Sequence, residues 1–543
     1  GLYRYCAEYL ADEEIHDVPK IVIAHDVRYF SRHFCELAAS IWTKLGGLAM
    51  IFDGPRSTPA LSFAVRNLKA TAGVVITASH NPSHDNGFKA YFSDGAQVVY
   101  PHAEGIIDRV RAVDWAEVPP FLEIDMEKVV TLPEGQDADY LDVLEDNVLN
   151  PELLEDIHPK AVFTPIHGTG AIAAAPLLRE FGVDVVEVPE QWVQDPRFPT
   201  VKSPNPENAE ALSMAIEKAK EVGADLVLAT DPDDDRMALA APDRDGNWTL
   251  FTGNMTGSML AHYRVKALQE IGILPVEGTE NAALIKTFVT TPLQEEIAKA
   301  NGLKCINTLT GFKWIGEKLG IYQSELEENL FDEEGIAIDY DQTDLSTRVS
   351  LLLEYSTFYV FGGEESYGYL ASDRVRDKDA NAACLMICEL CAYLKKSGQT
   401  FQEYLDAIHL QYGYHLESLI NIHFEGASGA QAIKNIIESL RNDPPKEIGG
   451  IAVQEMIDFG KDDLKDADNK PIPKENFYFL TLENGYKIAA RGSGTEPKIK
   501  FYCFAKDDVA SAEDLPKVQA ETKEKLAALE RAVDAMARKR AEG

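Results

Sequence analysis

Ala72-Gly73-Val74-Val75-Ile76-Thr77-Ala78-Ser79-His80-Asn81-Pro82 joins a short apolar run to a cluster of polar turn-formers. Residues 72–76 read as a buried strand, and Asn81, Pro82, Asp85, Asn86 and Gly87 make the following segment a loop. A hydroxyl, that of Ser79, therefore sits at a strand end, with His80 beside it and Lys89 close behind in sequence. Loops at strand ends of α/β folds are where chemistry collects, so Ser79 is the first candidate for a reacting group.

The same texture repeats outward from this stretch. Strand-like runs at 21–24, 48–52, 74–77, 162–166, 183–188, 226–230, 283–286 and 359–361 alternate with helix-like periodic stretches as far as about Gly398. That is the pattern of βα units feeding mostly parallel sheets. Beyond Thr400, residues 414–424 and 477–482 read as half-buried antiparallel strands and 512–540 as a terminal helix. A chain of 543 residues is too long for one hydrophobic core. The expected class is α/β: three α/β domains with mixed, mostly parallel sheets (1–137, 138–256 and 257–399) plus a C-terminal α+β domain (400–543). Residues 325–344 are densely acidic with little periodicity, and the expectation there is a solvated insertion or flexible loop.

Composition excludes several classes of function. The formal charge of −37 opposes polyanions, which argues against a nucleic-acid partner. A phosphorylated substrate would need a locally positive pocket or a metal. No apolar stretch approaches the length of a membrane span, so no membrane partner is expected. Seven scattered cysteines, an odd number, speak against a disulfide framework and for a reducing, cytoplasmic compartment.

Three further segments carry chemical potential. Asp231-Pro232-Asp233-Asp234-Asp235-Arg236 follows the run 226–230, and alternate carboxylates in an extended loop can converge on one hard cation. An acidic turn is the plainer alternative. An EF-hand is excluded, because its glycine and glutamate positions are taken by Arg236 and Pro242. Arg491-Gly492-Ser493-Gly494-Thr495-Glu496-Pro497 offers a guanidinium, two hydroxyls and glycines that let backbone N–H groups approach phosphate, or else an ordinary loop between strands. Gly362-Gly363-Glu364-Glu365-Ser366-Tyr367-Gly368 offers carboxylates and a hydroxyl suited to sugar hydroxyls.

The four segments in this order resemble the α-D-phosphohexomutase superfamily of phosphoglucomutases and phosphomannomutases, over nearly the whole chain. Lesser matches are Thr164–Gly170 in the form Thr-Pro-Ile-His-Gly-Thr-Gly, Thr310-Gly311-Phe312-Lys313 and Arg376-Asp377-Lys378-Asp379. The Glu-Glu-Ser-Tyr-Gly-Tyr version looks most like the branch of bacterial phosphoglucomutases and phosphopentomutases. The resemblance implies an isomerase that moves phosphate between O1 and O6 of a hexose, glucose first, through a bisphosphorylated intermediate. It makes Ser79 the phosphoserine, with Asp231, Asp233 and Asp235 holding Mg²⁺ together with a phosphoserine oxygen. His80 and Lys89 would flank the transfer, and Arg236 the metal loop. Glu364 and Ser366, with Thr310 and Lys378, would bind the sugar; Arg491, Ser493, Gly494 and Thr495 would hold the phosphate that is not reacting. It further implies a sugar 1,6-bisphosphate activator, a phosphosugar substrate, and a monomer or homodimer.

The physics fits this division of labour. A phosphoserine carries about −1.5 to −2 charge at neutral pH and would be repelled by three carboxylates without a cation between them. Phosphoryl transfer asks a protein chiefly to position groups and balance charge. The intermediate must turn around, so a site accepting both orientations and a closing domain that excludes water, the C-terminal one, are expected. One departure concerns the N-terminus: the Gly-Thr-x-Gly-Leu-Arg loop of the family is not present before Gly1, and N-terminal truncation is the expectation.

Rival readings remain at this level. Gly168-Thr169-Gly170-Ala171-Ile172-Ala173 imitates a dinucleotide fingerprint and would suit an NAD-dependent oxidoreductase. Cys384, Cys388 and Cys391 have radical iron–sulfur spacing, but their helix-forming surroundings make them one buried stripe. A non-catalytic phosphosugar-binding protein, and a phosphatase with water as acceptor, complete the alternatives.

Overall fold

Strands β1 (Lys20–His25) and β3 (Ala72–Ile76) lie at the centre of a five-stranded sheet and are buried almost throughout. Their alternate side chains part to opposite faces, as a pleated strand requires. Ile21, Ile23, Val74 and Ile76 pack with Cys35 and Trp42 of the helix Ser31–Lys44, whereas Val22, Ala24 and Val75 pack with Leu61 and Val65 of the helix Thr58–Asn67. With β2 (Leu48–Ile51), β4 (Phe88–Phe92) and β5 (Val130–Thr131) the order is β4-β3-β1-β2-β5, parallel except for the β3–β4 pair. This computed structural model describes residues 1–133, 135–424, 427–492 and 498–542.

A second five-stranded sheet holds β6 (Lys160–Thr164), β7 (Asp184–Glu187), β8 (Leu226–Thr230), β9 (Met237–Pro242) and β10 (Trp248–Phe251) in the order β10-β9-β8-β6-β7. β7, β6 and β8 run parallel, while β9 and β10 return antiparallel. A third α/β region carries the antiparallel hairpin of Phe358–Glu364 and Gly368–Leu370, continued by the helix Ala380–Ser397. Cys384, Cys388 and Cys391 are buried on that helix, and all seven cysteines are free.

The chain divides into two compact units, Gly1–Ile285 with Gly311–Phe401, and Lys286–Thr310 with Gln402–Gly543. The second contains an antiparallel six-stranded sheet, ordered Tyr414–His423, Lys498–Asp507, Lys487–Gly492, Phe477–Leu482, Ile451–Asp458 and Glu447–Ile448. The helices Ala427–Asn442 and Leu515–Ala541 cover one face, where Ile436, Leu440, Leu526, Leu529 and Val533 meet Ile422, Leu480, Ile488 and Phe501.

One sequence expectation changes. Residues 325–344 are not a flexible loop: the helix Lys313–Glu334 runs through the first half and buries Tyr322, Leu326 and Leu330 at four-residue spacing. A 3₁₀ turn at Tyr340–Gln342 and the helix Leu345–Tyr355, capped by Asp344, complete the segment. The acidic residues masked a narrow apolar stripe. Lys89, close behind Ser79 in sequence, lies on β4, where it pairs with Val75. No helix among the described residues is long and apolar enough to cross a membrane.

Candidate active site

Ser79 lies just beyond β3, after Thr77 and Ala78, and adopts a left-handed backbone (φ 50°), a conformation that the surrounding structure must hold in place. Its N–H donates to Thr77 Oγ1 at 2.9 Å, and Thr77 Oγ1 donates in turn to the buried Asp26 at 2.8 Å. Arg28 secures the rest of the loop. Its guanidinium donates to the carbonyl oxygens of Ser79 (2.5 Å), Asn81 (2.6 Å), Pro82 (2.6 Å) and Asp85 (3.1 Å). Asp26 balances that charge at 3.0 Å from Arg28 Nε and also accepts Ser31 Oγ–H at 2.7 Å.

The aspartate loop 231–236 connects the antiparallel strands β8 and β9, so it is a hairpin tip. Asp234 makes the turn with φ 57°. Asp231 Oδ1 accepts the N–H groups of Asp235 and Arg236, each at 3.1 Å, which folds the loop back on its own first carboxylate. Asp231, Asp233 and Asp235 each offer an oxygen within 4.8 Å of the others, and all three are buried. Ser79 Oγ donates to Asp231 Oδ2 at 2.8 Å, which joins the two sheets at the hydroxyl. Thr58, at the start of its helix, holds Asp233 twice: its N–H donates to the Asp233 carbonyl (2.9 Å) and its hydroxyl to the carboxylate (2.8 Å).

Two lysines face this cluster. Lys89 Nζ lies 2.7 Å from Asp233 and 3.1 Å from Asp235, and Lys378 Nζ lies 3.0 Å from Asp235. Burial works to lower both ammonium groups, but Asp233 and Asp235 raise Lys89, and Asp235 and Asp377 raise Lys378, so both stay charged. Burial opposes ionisation of Asp233 and Asp235 as well, yet Lys89 holds Asp233, and Lys378 with Lys89 holds Asp235, below the usual carboxylate range. Asp231 is pushed far up by burial and by the neighbouring Asp233 and Asp235, which outweigh the opposing Arg236 charge and the Ser79 hydrogen bond. Asp233 Oδ1 and Asp235 Oδ1 are buried with no hydrogen-bond donor among the described residues. Orphaned carboxylate oxygens beside a third carboxylate form a donor set that suits a hard divalent cation.

His80 Nδ1 lies 3.3 Å from Ser79 Oγ, and burial followed by the Arg236 charge lowers its pKa to about 3, so the imidazole is neutral at physiological pH. Arg236 is held by Glu207 at 3.0 Å. Glu364 ends the strand Phe358–Glu364, accepts the Gly311 N–H at 3.0 Å and is raised by burial. Ser366 is half-buried in the hairpin turn that follows. The structure thus gathers Ser79, His80, Lys89, Asp231, Asp233, Asp235 and Lys378 around one point, with Arg236 joined to the aspartate loop. Thr310 and Arg491 belong to the second unit, where half-buried Arg491 donates to Glu475 at 3.0 Å. Ser493, Gly494 and Thr495 lie outside the described residues.

Sequence reasoning missed Asp26, Arg28, Thr58 and Glu207. Asp26 and Arg28 immediately follow the first strand, and a charged pair at such a strand end was the available signal. The Gly168–Gly170 imitation of a dinucleotide fingerprint also finds its physical reason. A Cβ on Gly168 would collide with Pro232 Cα, and one on Gly170 would collide with Thr230 Oγ1 and fall 2.8 Å from Asp234 Oδ1. These glycines let the helix Gly170–Glu180 approach the aspartate loop.

Residues 2–117, 138–246, and 252–325 with 349–412 match the phosphoglucomutase/phosphomannomutase α/β/α domains I, II and III respectively. The chain belongs to this family. The phosphoglucomutase of Staphylococcus aureus strain MRSA252 is 32% identical over 507 residues, covering 91% of this chain and 84% of that protein. Among solved structures, a putative phosphomannomutase from Thermus thermophilus superposes with TM-score 0.63 at 21% identity, over 97% of this chain and 94% of its own. The open form of the Paramecium phosphoglucomutase parafusin gives TM-score 0.61 at 18% identity, over 96% and 90%. At such identities these two structures speak to the fold. The family places the protein among phosphosugar mutases.

Proposed function

We propose that the protein interconverts glucose 1-phosphate and glucose 6-phosphate through phosphorylated Ser79 and a glucose 1,6-bisphosphate intermediate. The observation that carries this reading is the 2.8 Å contact between Ser79 Oγ and Asp231 inside a buried triad of aspartates. Such an arrangement suits a serine whose phosphate is bound beside a cation. Asp231, Asp233 and Asp235 would hold Mg²⁺, and the ion when bound supplies the positive charge that lets a phosphoserine dianion sit among carboxylates.

The chain's own residues do the rest. Ser79 Oγ gives its phosphoryl group to a sugar hydroxyl: the serine O–P bond breaks, a sugar O–P bond forms, the hydroxyl proton leaves to a nearby base, and the departing serine oxygen takes up a proton to become the hydroxyl. Neutral His80 is placed to take part in that proton movement. Lys89 and Lys378 remain cationic and balance the charge that spreads over the transferred oxygens. Glu364, Ser366, Thr310 and Lys378 bind the sugar, while Arg491 with Ser493, Gly494 and Thr495 clamps the distal phosphate. After the intermediate turns around, the other phosphate returns to Ser79. Sugar bisphosphate would prime an unphosphorylated enzyme, four domains at about 1–137, 138–256, 257–399 and 400–543 would share these tasks, and seven free cysteines fit a cytoplasmic setting.

A coupled assay for glucose 6-phosphate with Mg²⁺ and trace bisphosphate tests the reading. Glucose 6-phosphate as product, faster than with mannose or pentose phosphates, supports it. Inorganic phosphate as the only product eliminates mutase chemistry, and preference for another sugar phosphate reassigns the substrate.

A further inference from the structure

The third family domain matches 252–325 and resumes at 349, so residues 326–348 have no counterpart in it. That segment is anchored by two buried side chains. Tyr340, 3% exposed, donates its hydroxyl to Asp373 Oδ2 at 2.7 Å. Arg348, 1% exposed, donates Nε to Asp373 Oδ2 at 2.9 Å and Nη2 to Asp373 Oδ1 at 3.0 Å, and its guanidinium lies 5.6 Å from the centre of the Tyr340 ring. Its remaining nitrogen, Nη1, donates to the Thr343 carbonyl. A bidentate guanidinium–carboxylate pair fixes orientation as well as distance.

Asp373 starts the short path to the reacting centre. It lies on the loop 371–379 between the strand Gly368–Leu370 and the helix Ala380–Ser397. The Asp373 carbonyl accepts Arg376 Nε at 2.8 Å, and the Arg376 N–H donates to Ser62 Oγ at 2.9 Å. Asp377 accepts the Tyr91 hydroxyl at 2.7 Å and the Lys378 N–H at 2.9 Å. Lys378 Nζ then reaches Asp235 at 3.0 Å. On the other side the segment is tied to the first domain by Arg66–Asp341 (2.6 Å) and the exposed Lys69–Asp339 pair (3.1 Å).

We infer that residues 326–348 form a strap whose Tyr340 and Arg348 grip Asp373 and thereby position Lys378 at the aspartate cluster. The inference rests on the assignment of Lys378 to the reacting site. Tyr340 and Arg348 are positioning residues; neither touches Ser79 or the aspartates. A flexible lysine is useful in phosphoryl transfer only if its backbone is fixed, since a displacement of about 1 Å can cost up to about a hundredfold in rate.

A double-mutant cycle provides the test. Tyr340→Phe and Arg348→Met are each measured alone and with Lys378→Met, following kcat, KM and the Kd for glucose 1,6-bisphosphate, with Asp339→Asn as the control. Each strap variant alone should lower kcat/KM roughly tenfold, and by less than about twofold once Lys378 is already Met. Asp339→Asn, which breaks only an exposed pair, should leave kcat/KM within about twofold. If Lys378→Met is costly but the strap losses multiply independently, or appear only in Tm, the strap is ordinary packing and the inference falls. If Lys378→Met costs nothing, the assignment of Lys378 falls, and the strap's route with it. Tyr340→Phe removes a single hydroxyl, so the cycle survives even if Arg348→Met does not fold.

Discussion

The reacting centre of the first unit and the antiparallel sheet of the second bury side chains for different ends. Around Ser79 the buried groups are ionisable: Asp233 and Asp235 pair with the half-buried Lys89 and Lys378, Asp231 lies beside them, and Asp26 faces Arg28. Behind the sheet the buried cluster is apolar, with Ile422, Leu480, Ile488, Phe501, Leu526 and Val533 in mutual contact. Burying an apolar group gains stability from the area removed from water, whereas burying a charge gains little unless partners repay its desolvation. Substitutions at the centre should therefore register in chemistry, and substitutions behind the sheet in stability.

Ser79→Ala should sharpen this contrast most. It removes the phosphoryl acceptor, so turnover should drop by at least about 10⁴-fold while Tm barely moves, as expected for one hydroxyl on a loop. A thermal melt beside a turnover assay checks both halves. Asp231→Asn comes next. It takes away a carboxylate that the triad offers to a cation, and roughly 10²–10³-fold lower kcat with a weakened Mg²⁺ dependence is expected. Full activity at ordinary Mg²⁺ would break the comparison at its charged end. On the apolar side, Leu480→Ala should cost about 2–5 kcal/mol in urea unfolding through the cavity it leaves.

Protonation offers a lever that is smaller for each group. His409 and His415 are buried in the second unit, and burial lowers each pKa to about 4. An unfolded chain would protonate them near pH 6.5, so between those values the unfolded state binds more protons and the folded state loses stability as pH falls. The second unit should lose about 2 kcal/mol for each histidine, roughly 5 kcal/mol for the pair, between about pH 7 and pH 4.5, and His409→Gln with His415→Gln should flatten that slope. An unchanged slope in the double variant would remove the histidines from the account. Smallest is Arg28→Lys, which keeps a cation beside Asp26 but loses the fork that reaches four carbonyl oxygens; about tenfold lower kcat, with KM nearly unchanged, is expected.

The same contrast explains what could be read before any coordinates. Apolar alternation is local, so β8 and the strand Phe477–Leu482 stand where the pattern 226–230 and 477–482 put them. The helix carrying Cys384, Cys388 and Cys391 follows from its own stretch of sequence in the same way. Return strands such as β4 and β9 were hidden because loop-like polar residues precede them and their partners are set by the hairpin, not by a period. Buried charge is not local at all. Ser79 meets Asp231 across 152 positions and Lys89 meets Asp233 across 144, and no spacing rule connects them. The motifs stood out because each is chemically dense; Arg28 and Glu207 did not, because a single charge in a chain that is 26% charged looks like surface.

The central claim is that Ser79 carries the phosphoryl group. Incubation with glucose 1,6-bisphosphate and Mg²⁺, followed by intact-mass and peptide mass spectrometry, tests it directly. The account predicts the mass of one added phosphoryl group, mapped to Ser79 and discharged by excess glucose 1-phosphate. Turnover that proceeds with Ser79 unmodified, or a phosphoryl group found on another residue, would contradict it.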